Sequence, residues 1–297
     1  KEKEVKHINA YLVEGEDIFI ESRTDSICDV PEIGIGNKPI DGGYYLFSKE
    51  EKEEFIKKEP GSEKYFKKWI GGEEFLNNKD RFCLYLNKVD PSELRKMPLV
   101  LDRIERVKNF RLESKSIPTQ KLAKTPTKFH VENIPQDNYI VIPEVLTNIR
   151  LYIPIGFESP NVLASNLVKV INSNNLYDFG ILQSKLHFVW FEYVCGRLGN
   201  GLRYSKDIVY NNFPWPEKVT DECKKKVEEC AKKVLDIRLQ FPNNSLADLY
   251  DPNAMPLELV EAHNNLDRVV DSCYGRKFIN KEERIKFLFE LYKKYTE

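Results

Sequence analysis

The sequence has no CxxC pair, no GxGxxG segment and no apolar run approaching the roughly 20 residues that cross a bilayer. The six cysteines and four histidines are scattered, which argues against zinc because zinc ligands come in closely spaced pairs. In a chain of 297 residues, such cysteines are typical of reduced thiols in a cytoplasmic protein rather than of a disulfide framework. We therefore expect no metal, no membrane partner and no nucleotide cradle.

Net charge does not identify a partner either, because 46 basic residues nearly balance 47 acidic residues. The stretch from Lys96 to Lys128 is not balanced, because it contains nine basic residues and only three acidic ones. Such an excess is enough for a surface that follows DNA phosphates, although a solvated helix flank explains the same pattern. The nine basic residues are Lys96, Arg103, Arg106, Lys108, Arg111, Lys115, Lys121, Lys124 and Lys128.

Apolar patterning divides the chain near Pro216, where mixed elements give way to helices alone. The sequence predicts an α+β fold, with an α+β domain over residues 1–216 and a small all-helical domain over residues 217–297. The main predicted elements before the boundary are the helices Ser48–Lys58, Tyr65–Ile70, Ser92–Lys115 and Ser184–Leu198 and the strands Tyr139–Pro143 and Ile149–Phe157. Those after it are the helices Asp221–Leu239, Pro256–Cys273 and Asn280–Tyr295.

The segment YNNFPWP (Tyr210–Pro216) resembles the Asn/Asp-Pro-Pro-aromatic loop of enzymes that methylate adenine in DNA. In such a loop the Asn and a backbone carbonyl bind the target amine, and the aromatic ring stacks on the flipped base. Here Phe213 replaces the first proline, and no glycine-rich cofactor segment precedes it. The sequence favours an extended strap, because Pro214 and Pro216 prevent a helix.

A loose D…ExK nuclease pattern is present as Asp102 and Glu113-Ser-Lys115. Both carboxylates fall in one predicted helix, so eleven residues separate them by about 16 Å at the rise of an α-helix. A divalent ion reaches its oxygen ligands at only about 2.0–2.6 Å. The pair is therefore excluded as a shared metal site, and we identify no catalytic centre in this chain.

Several longer blocks resemble the C-terminal portion of MmeI-like (type IIL) restriction–modification proteins. In that family one polypeptide carries nuclease, adenine methyltransferase and target-recognition regions. The blocks keep the family's order and spacing along nearly the whole chain. They include INAYLVEGEDIFIESR (Ile8–Arg23), DPSELRKMPLVLDRIERVKNFRLESK (Asp90–Lys115), YIPIGF (Tyr152–Phe157) and VCGRLGNGLRYSKDIVYNNFPWP (Val194–Pro216).

The resemblance implies a target recognition domain followed by a C-terminal helical domain, both acting on double-stranded DNA. It places the methyltransferase, together with any nuclease, upstream of Lys1 in the same polypeptide. S-adenosylmethionine is then a cofactor of the parent enzyme and not of this chain. It also implies a prokaryotic, cytoplasmic protein.

The resemblance further implies that bases are read just before the YIPIGF block, at Asn148 and Arg150. Arginine suits guanine and asparagine suits adenine in the major groove. In an extended strand Tyr152 projects from the same face, while Ile149, Leu151 and Ile153 pack on the other. Relatives often have an acidic residue at the position of Asn148, so the base sequence that they recognise cannot be assigned to this chain.

Two further regions supply candidate DNA contacts. In the basic loop after the long predicted helix, Ser116 and Thr119 are candidates for base edges. The candidates for phosphate contact are Lys115, Lys121 and Lys124 in that loop and Arg203 and Tyr204 in the glycine-rich GNGLRYS stretch.

Two other accounts stay open at this point. The helical C-terminal region makes a protein–protein adaptor possible, with the basic stretch meeting an acidic partner. An independent methyltransferase is favoured only by the YNNFPWP segment. Salt-dependent DNA binding, S-adenosylmethionine binding and a stable protein complex distinguish the three accounts.

Overall fold

The fold combines eleven strands and eleven α-helices in a computed structural model that describes residues 5–147 and 149–297. The predicted α+β class is confirmed. The strands are β1 (Ile33–Ile35), β2 (Leu46–Phe47), β3 (Phe66–Ile70), β4 (Phe82–Leu84), β5 (Tyr139–Pro143), β6 (Val145–Thr147), β7 (Gly156–Glu158), β8 (Val162–Ala164), β9 (Val168–Ile171), β10 (Gly196–Leu198) and β11 (Gly201–Arg203). The helices are α1 (Lys49–Lys58), α2 (Gly72–Asn77), α3 (Pro91–Leu94), α4 (Pro98–Leu112), α5 (Ile117–Leu122), α6 (Leu176–Gln183), α7 (Lys185–Val194), α8 (Asp221–Arg238), α9 (Leu246–Leu249), α10 (Leu257–Cys273) and α11 (Lys281–Thr296).

The strands form three small sheets. The first has the order β1-β9-β5-β7 and is antiparallel throughout, and the second has the antiparallel order β10-β11-β6. The third has the order β2-β4-β3-β8, with β3 and β8 parallel. Because β5 and β6 are separated only by Glu144, the first and second sheets are joined by continuous chain.

The three predicted C-terminal helices are confirmed as α8, α10 and α11. Each is amphipathic, and Thr220 and Asn280 cap the first and last of them through their side chains. Helix α8 packs closely on α6 at Gly180, where an added Cβ would lie 2.5 Å from a methyl carbon of Val227. Within the described residues, no helix is both long enough and apolar enough to span a membrane.

A single hydrophobic cluster extends across the predicted domain boundary. It contains Ile142 and Trp190 from before Pro216 and Val234 and Leu266 from after it. Packing is therefore continuous through the boundary, and the division into residues 1–216 and 217–297 stays a prediction. A second cluster lies under α1 and α4 around Tyr45.

Three predicted helices before the boundary are wrong in whole or in part. Of the predicted helix Tyr65–Ile70, residues 66–70 form strand β3, because Phe66 and its neighbours pair with β4, and Tyr65 ends a 3-10 helix (Pro60–Tyr65). The long predicted helix Ser92–Lys115 is interrupted and resumes at Pro98, which has no N–H for an earlier turn. The predicted helix Ser184–Leu198 ends at Val194, and Gly199 lies at the tip of the β10–β11 hairpin with a φ of 58°.

The expectation that all six cysteines are reduced thiols is wrong for one pair. Cys223 near the start of α8 and Cys273 at the end of α10 form a disulfide, with their Cα atoms 6.3 Å apart. The two residues are 50 positions apart in sequence, so only the packing of α8 on α10 brings them together. Cys28, Cys83 and Cys195 are free, as is Cys230.

Candidate nucleic-acid interface

The chain after helix α4 presents unpaired lysines to solvent. We call residues 114–128 the basic segment; it contains α5 and the turns that follow it. Lys115, Lys121 and Lys124 are all exposed and form no ion pair within the part of the chain that the structure describes. Ammonium groups that no carboxylate neutralises are suited to phosphate oxygens.

Two hydroxyl side chains accompany these lysines. Ser116 is the N-cap residue of α5 and is exposed, but its side chain makes no capping hydrogen bond. Thr119 lies half-buried inside the same helix. The predicted hydroxyl contacts therefore lie on the same short helix as Lys121.

Arg111 fixes the basic segment to the rest of the protein. Its side chain is fully buried at the end of α4, and all five of its N–H groups donate to backbone carbonyls. The Nε acceptor is Ile40 (2.9 Å), the Nη1 acceptors are Leu122 and Thr125 (2.9 and 3.0 Å), and the Nη2 acceptors are Pro39 and Lys128 (2.8 Å each).

Four of the nine basic residues predicted to form one phosphate-following surface are buried or already contact other side chains of the protein. Arg111 is buried, and Arg103 lies over the ring of Phe47. Arg106 pairs with Asp102 and Lys108 pairs with Glu105, in each case within one turn of α4. The free positive charge is therefore concentrated in the basic segment and not along α4.

The stretch that we call the 149–155 segment is irregular, and the predicted strand over it is wrong. Strand β6 ends at Thr147, which is opposite Gly201, and the next strand begins at Gly156. Without strand pairing the expected alternation is lost, and Ile149 and Leu151 are 59% and 43% exposed. Asn148, the first candidate base-reading residue, lies outside the described residues.

Arg150 lies half-buried beside the C-terminal helices. Its Nη1 donates to the carbonyl oxygen of Ala247 at 3.3 Å, whereas its buried Nε has no partner. Burial lowers the pKa of the guanidinium, and the carboxylate of Asp251 opposes that shift. The group stays charged in any case, and several of its N–H donors are unused.

Tyr152 lies in the interior, and the expectation that it reads a base requires correction. The side chain is 5% exposed, and its hydroxyl donates to Asp267 Oδ2 at 2.7 Å. The ring stacks on His263, with centroids 4.1 Å apart. Tyr152 therefore points into the C-terminal helices, and its hydroxyl is not offered to a base edge.

The structure places Arg203 and Tyr204 in different environments. Arg203 is exposed, and its Nε donates to Glu144 at 2.8 Å, which leaves its other N–H groups free. Tyr204 is fully buried and bonds to His187 Nε2 at 3.0 Å, so the expected phosphate contact by Tyr204 requires correction. Arg203, the last residue of β11, thus faces solvent, and Tyr204, which follows the strand, faces the interior.

The YNNFPWP segment is buried from Tyr210 to Trp215. Residues 213–216 are not helical, as the prolines predicted, whereas Tyr210 ends a short π-helical turn (Lys206–Tyr210). Asn212 is fully buried, and its Nδ2 donates to the carbonyl oxygens of Glu21 and Asp207 at 2.9 and 2.8 Å. Its Oδ1 accepts from Arg23 Nε at 3.0 Å, and Phe213 is fully buried beside it. This Asn has no free amide for a flipped base, which removes the only sequence feature that favoured a catalytic loop here.

Helix α10 carries a set of buried polar residues that the sequence patterns above did not predict. His263, Asp267 and Asp271 follow one another at intervals of four, so they share one face of the helix. That face also carries Leu259 and Val270 and is buried. Polar residues on the apolar stripe of an amphipathic helix were a detectable signal, because such groups must find partners.

The buried carboxyl group of Asp267 provides a pH-dependent test of this set. Burial raises its pKa to about 6, and the Lys185 N–H, Tyr152 and Arg284 oppose the shift while Asp271 adds to it. Between about pH 4 and pH 6 the folded chain then holds a proton that the unfolded chain has lost. The free energy of unfolding should fall as pH rises through this window, in total by about 3 kcal/mol.

The Asp267→Asn variant should lack this pH-dependent contribution to the free energy of unfolding. Relative to that variant, the wild type should gain stability as pH falls from 7 to 4. Urea unfolding at each pH unit measures the difference, and titrations common to both proteins cancel. Parallel stability curves for the two proteins would contradict the buried, proton-binding carboxyl group.

The chain matches known proteins along nearly its whole length. Residues 14–217 match the family described as MmeI, target recognition domain, and residues 219–297 match the family described as MmeI, C-terminal domain. DNA methyltransferase A of Bacillus subtilis (strain 168) is 41% identical over 296 residues, which are 99% of this chain and 33% of that protein. The chain thus spans about a third of the length of this curated relative.

A solved structure has the same fold. The type IIL restriction-modification enzyme MmeI, determined in complex with DNA, superposes with a TM-score of 0.95 at 47% identity. The match covers 98% of this chain and 39% of the MmeI chain. The resemblance found in the sequence is confirmed, and this chain belongs to the MmeI family, of which it carries the target recognition and C-terminal regions.

Proposed function

We propose that this chain is the sequence-specific DNA recognition module of an adenine-specific DNA methyltransferase of the type IIL restriction–modification class. The observation that carries the proposal is the match over almost the entire chain to an enzyme solved in complex with DNA. The lysines of the basic segment support it independently, because they are exposed, form no ion pair among the described residues and are therefore available to DNA phosphates.

The proposal places the chemistry outside this chain. One relative is named as a DNA methyltransferase and the other as a restriction-modification enzyme, so methylation is the activity that the two names share. S-adenosylmethionine then belongs to a methyltransferase domain elsewhere in the parent polypeptide. The role of this chain is to select the duplex sequence whose adenine that domain modifies.

We propose a division of contacts between two surfaces. Asn148 and Arg150 would read base edges, with Ser116 and Thr119 as secondary candidates. The phosphate contacts would come from Lys115, Lys121, Lys124 and Arg203. Of the proposed base readers, Arg150 lies next to Tyr152 of the first hydrophobic cluster, whereas the basic segment, with Ser116 and Thr119, is anchored beside the second cluster by Arg111.

Selection from randomised DNA tests this function directly. The intact protein is incubated with a library of randomised duplexes, and the bound duplexes are recovered and sequenced. We expect one enriched motif and an affinity that falls steeply with salt. A stable complex with another protein and no enriched DNA motif would favour the adaptor account instead.

Arg150 should determine one base pair of that motif. We expect Arg150→Ala to lose preference at a single position, with a cost of about 1–3 kcal/mol there and little change elsewhere. The readout is a second selection, followed by binding to the single-base variants of the motif. Arg81→Ala is the matched control, because it removes a surface guanidinium whose ion-pair partner is Glu74 and not a residue of the 149–155 segment. A uniform loss of affinity across all sequences would assign Arg150 to backbone contact or to folding.

A further inference from the structure

The 149–155 segment has no strand neighbour, yet its backbone is held by side chains from three helices. The carbonyl oxygen of Leu151 accepts from Lys185 Nζ at 2.8 Å. Those of Ile153 and Ile155 accept from Gln183 Nε2 at 2.8 Å and Arg238 Nη1 at 2.7 Å. Three alternate carbonyl oxygens, those of residues 151, 153 and 155, are thus bound by donors on α7, α6 and α8 respectively.

Tyr152 inserts into the C-terminal helices between these contacts. Its hydroxyl and the backbone N–H of Lys185 share one carboxylate, because Asp267 accepts from them through Oδ2 and Oδ1, each at 2.7 Å. The ring is covered on one face by His263. One residue of α10 therefore fixes both the segment and the start of α7.

A second layer of buried side chains holds the first. Arg238 donates through Nη2 to Gln183 Oε1 at 2.8 Å and through Nε to the hydroxyl of Tyr250 at 2.9 Å. That hydroxyl also bonds to His263 Nε2 at 2.8 Å. Arg238 is 8% exposed and the other three residues are 2% exposed or less, so water does not compete for these bonds.

We propose that Arg238, Tyr250, His263 and Asp267 are positioning residues for base recognition, which act by holding the 149–155 segment in one conformation. We call these four residues the anchoring network. The proposal rests on the function proposed above and assigns to the C-terminal region a part in sequence specificity. None of the four touches DNA in this account; they act through the backbone of the segment and through Tyr152.

The physical reason is the entropy of an unpaired segment. Fixing the backbone of each residue costs conformational entropy, so a free segment of seven residues would lose much of its binding energy to ordering. Base edges also discriminate only when donors and acceptors are placed within about 0.5 Å. A network that orders the segment before DNA binds removes the entropic cost of ordering at the binding step, and it also holds donors and acceptors in the positions that base discrimination requires.

The test compares two tyrosine variants of the intact protein that undergo the same chemical change. Tyr152→Phe removes the hydroxyl that Asp267 binds and leaves the ring stacked on His263. Tyr139→Phe is the control, because its buried hydroxyl donates at 2.8 Å to the carbonyl oxygen of Val162 in a different sheet. Each protein is measured for melting temperature, for affinity to the selected duplex, and for affinity to its single-base variants.

We expect both variants to melt at a lower temperature than the wild type, but only Tyr152→Phe to discriminate less well. Its ratio of affinities between the selected duplex and the variants read by the 149–155 segment should fall about tenfold. Affinity for random duplex and its salt dependence should not change, because the phosphate contacts are intact. Arg238→Lys should show the same pattern, since an ammonium group cannot bridge Ile155, Gln183 and Tyr250 together.

The inference is overturned if Tyr152→Phe discriminates as the wild type does, or if it weakens binding to every duplex equally. Should Arg238→Lys fail to fold, the tyrosine pair still decides, because each removes one oxygen atom. If the proposed DNA recognition function is itself wrong, the wild-type protein enriches no DNA motif. That outcome differs from failure of the anchoring network, in which the wild type enriches a motif and Tyr152→Phe discriminates as the wild type does.

Discussion

Arg111→Met should lower the free energy of unfolding by about 3–5 kcal/mol, the largest stability loss that we expect from one substitution in this chain. The new side chain has a similar length but no donor. The carbonyl oxygens of Pro39, Ile40 and Lys128 would lose the only donor that they have among the described residues. Those of Leu122 and Thr125 would lose one of two donors, because each also accepts from a backbone N–H group. Each buried group without a partner carries a desolvation cost.

The damage should be concentrated in the basic segment. Leu122, Thr125 and Lys128 contribute three of the five carbonyl groups, and the turns between them have no strand partner. In the variant, the amide hydrogens of these turns should show a larger increase in exchange rate than those of β5. Since these turns carry the proposed phosphate contacts, affinity for DNA should fall as well.

Chemical unfolding and hydrogen exchange measure the two effects. Arg111→Lys is the informative control, because a lysine keeps the charge but has three donors for five acceptors. The free energy of unfolding of Arg111→Lys should lie between those of the wild type and the methionine variant. Equal stability of all three proteins would show that the carbonyl groups of this site find other partners.

Replacing Lys115, Lys121 and Lys124 together by alanine should weaken binding to duplex DNA on the order of 100-fold at low salt. All three ammonium groups are exposed and without an ion pair within the described residues, so their removal costs the fold little. If each contacts one phosphate, the slope of log affinity against log salt should become less steep by about 2.7. The enriched motif should not change, because phosphate contacts carry no base information.

A control variant separates local contact from overall charge. It replaces three exposed lysines of the C-terminal helices, and it lowers the formal net charge from −1 by the same three units. We expect its affinity and salt slope to stay near those of the wild type. Equal losses in both variants would mean that the protein attracts DNA through its total charge and not through the basic segment. The three control positions are Lys225, Lys233 and Lys294.

Local signals in the sequence predicted those elements that local energetics stabilise. Ser48 and Glu51 form the capping box that their spacing indicated, and α1 starts there. The branched and aromatic run at Tyr139–Pro143 is strand β5, buried at every position. The apolar stripes of the C-terminal helices were long enough to be identified by period alone.

Elements whose state depends on distant partners were predicted wrongly. Residues 66–70 have mixed preference and become strand β3 because β4 and β8 flank them. The apolar and branched residues of the 149–155 segment indicated a strand, but β11 ends its pairing at Thr147. For the same reason Tyr152, which counted as a solvent-facing neighbour of Arg150, is buried against α10.

By itself the sequence determined the α+β class, the family and the three C-terminal helices, because periodicity, capping and block order are written in neighbouring residues. Only the tertiary structure decided which basic residues are free and which are buried, as the contrast between Lys115 and Arg111 demonstrates. It also decided that Asp267 holds Tyr152 across 115 positions. A side chain's availability depends on which distant backbone groups and carboxylates it meets, and those meetings exist only after the helices and sheets have packed.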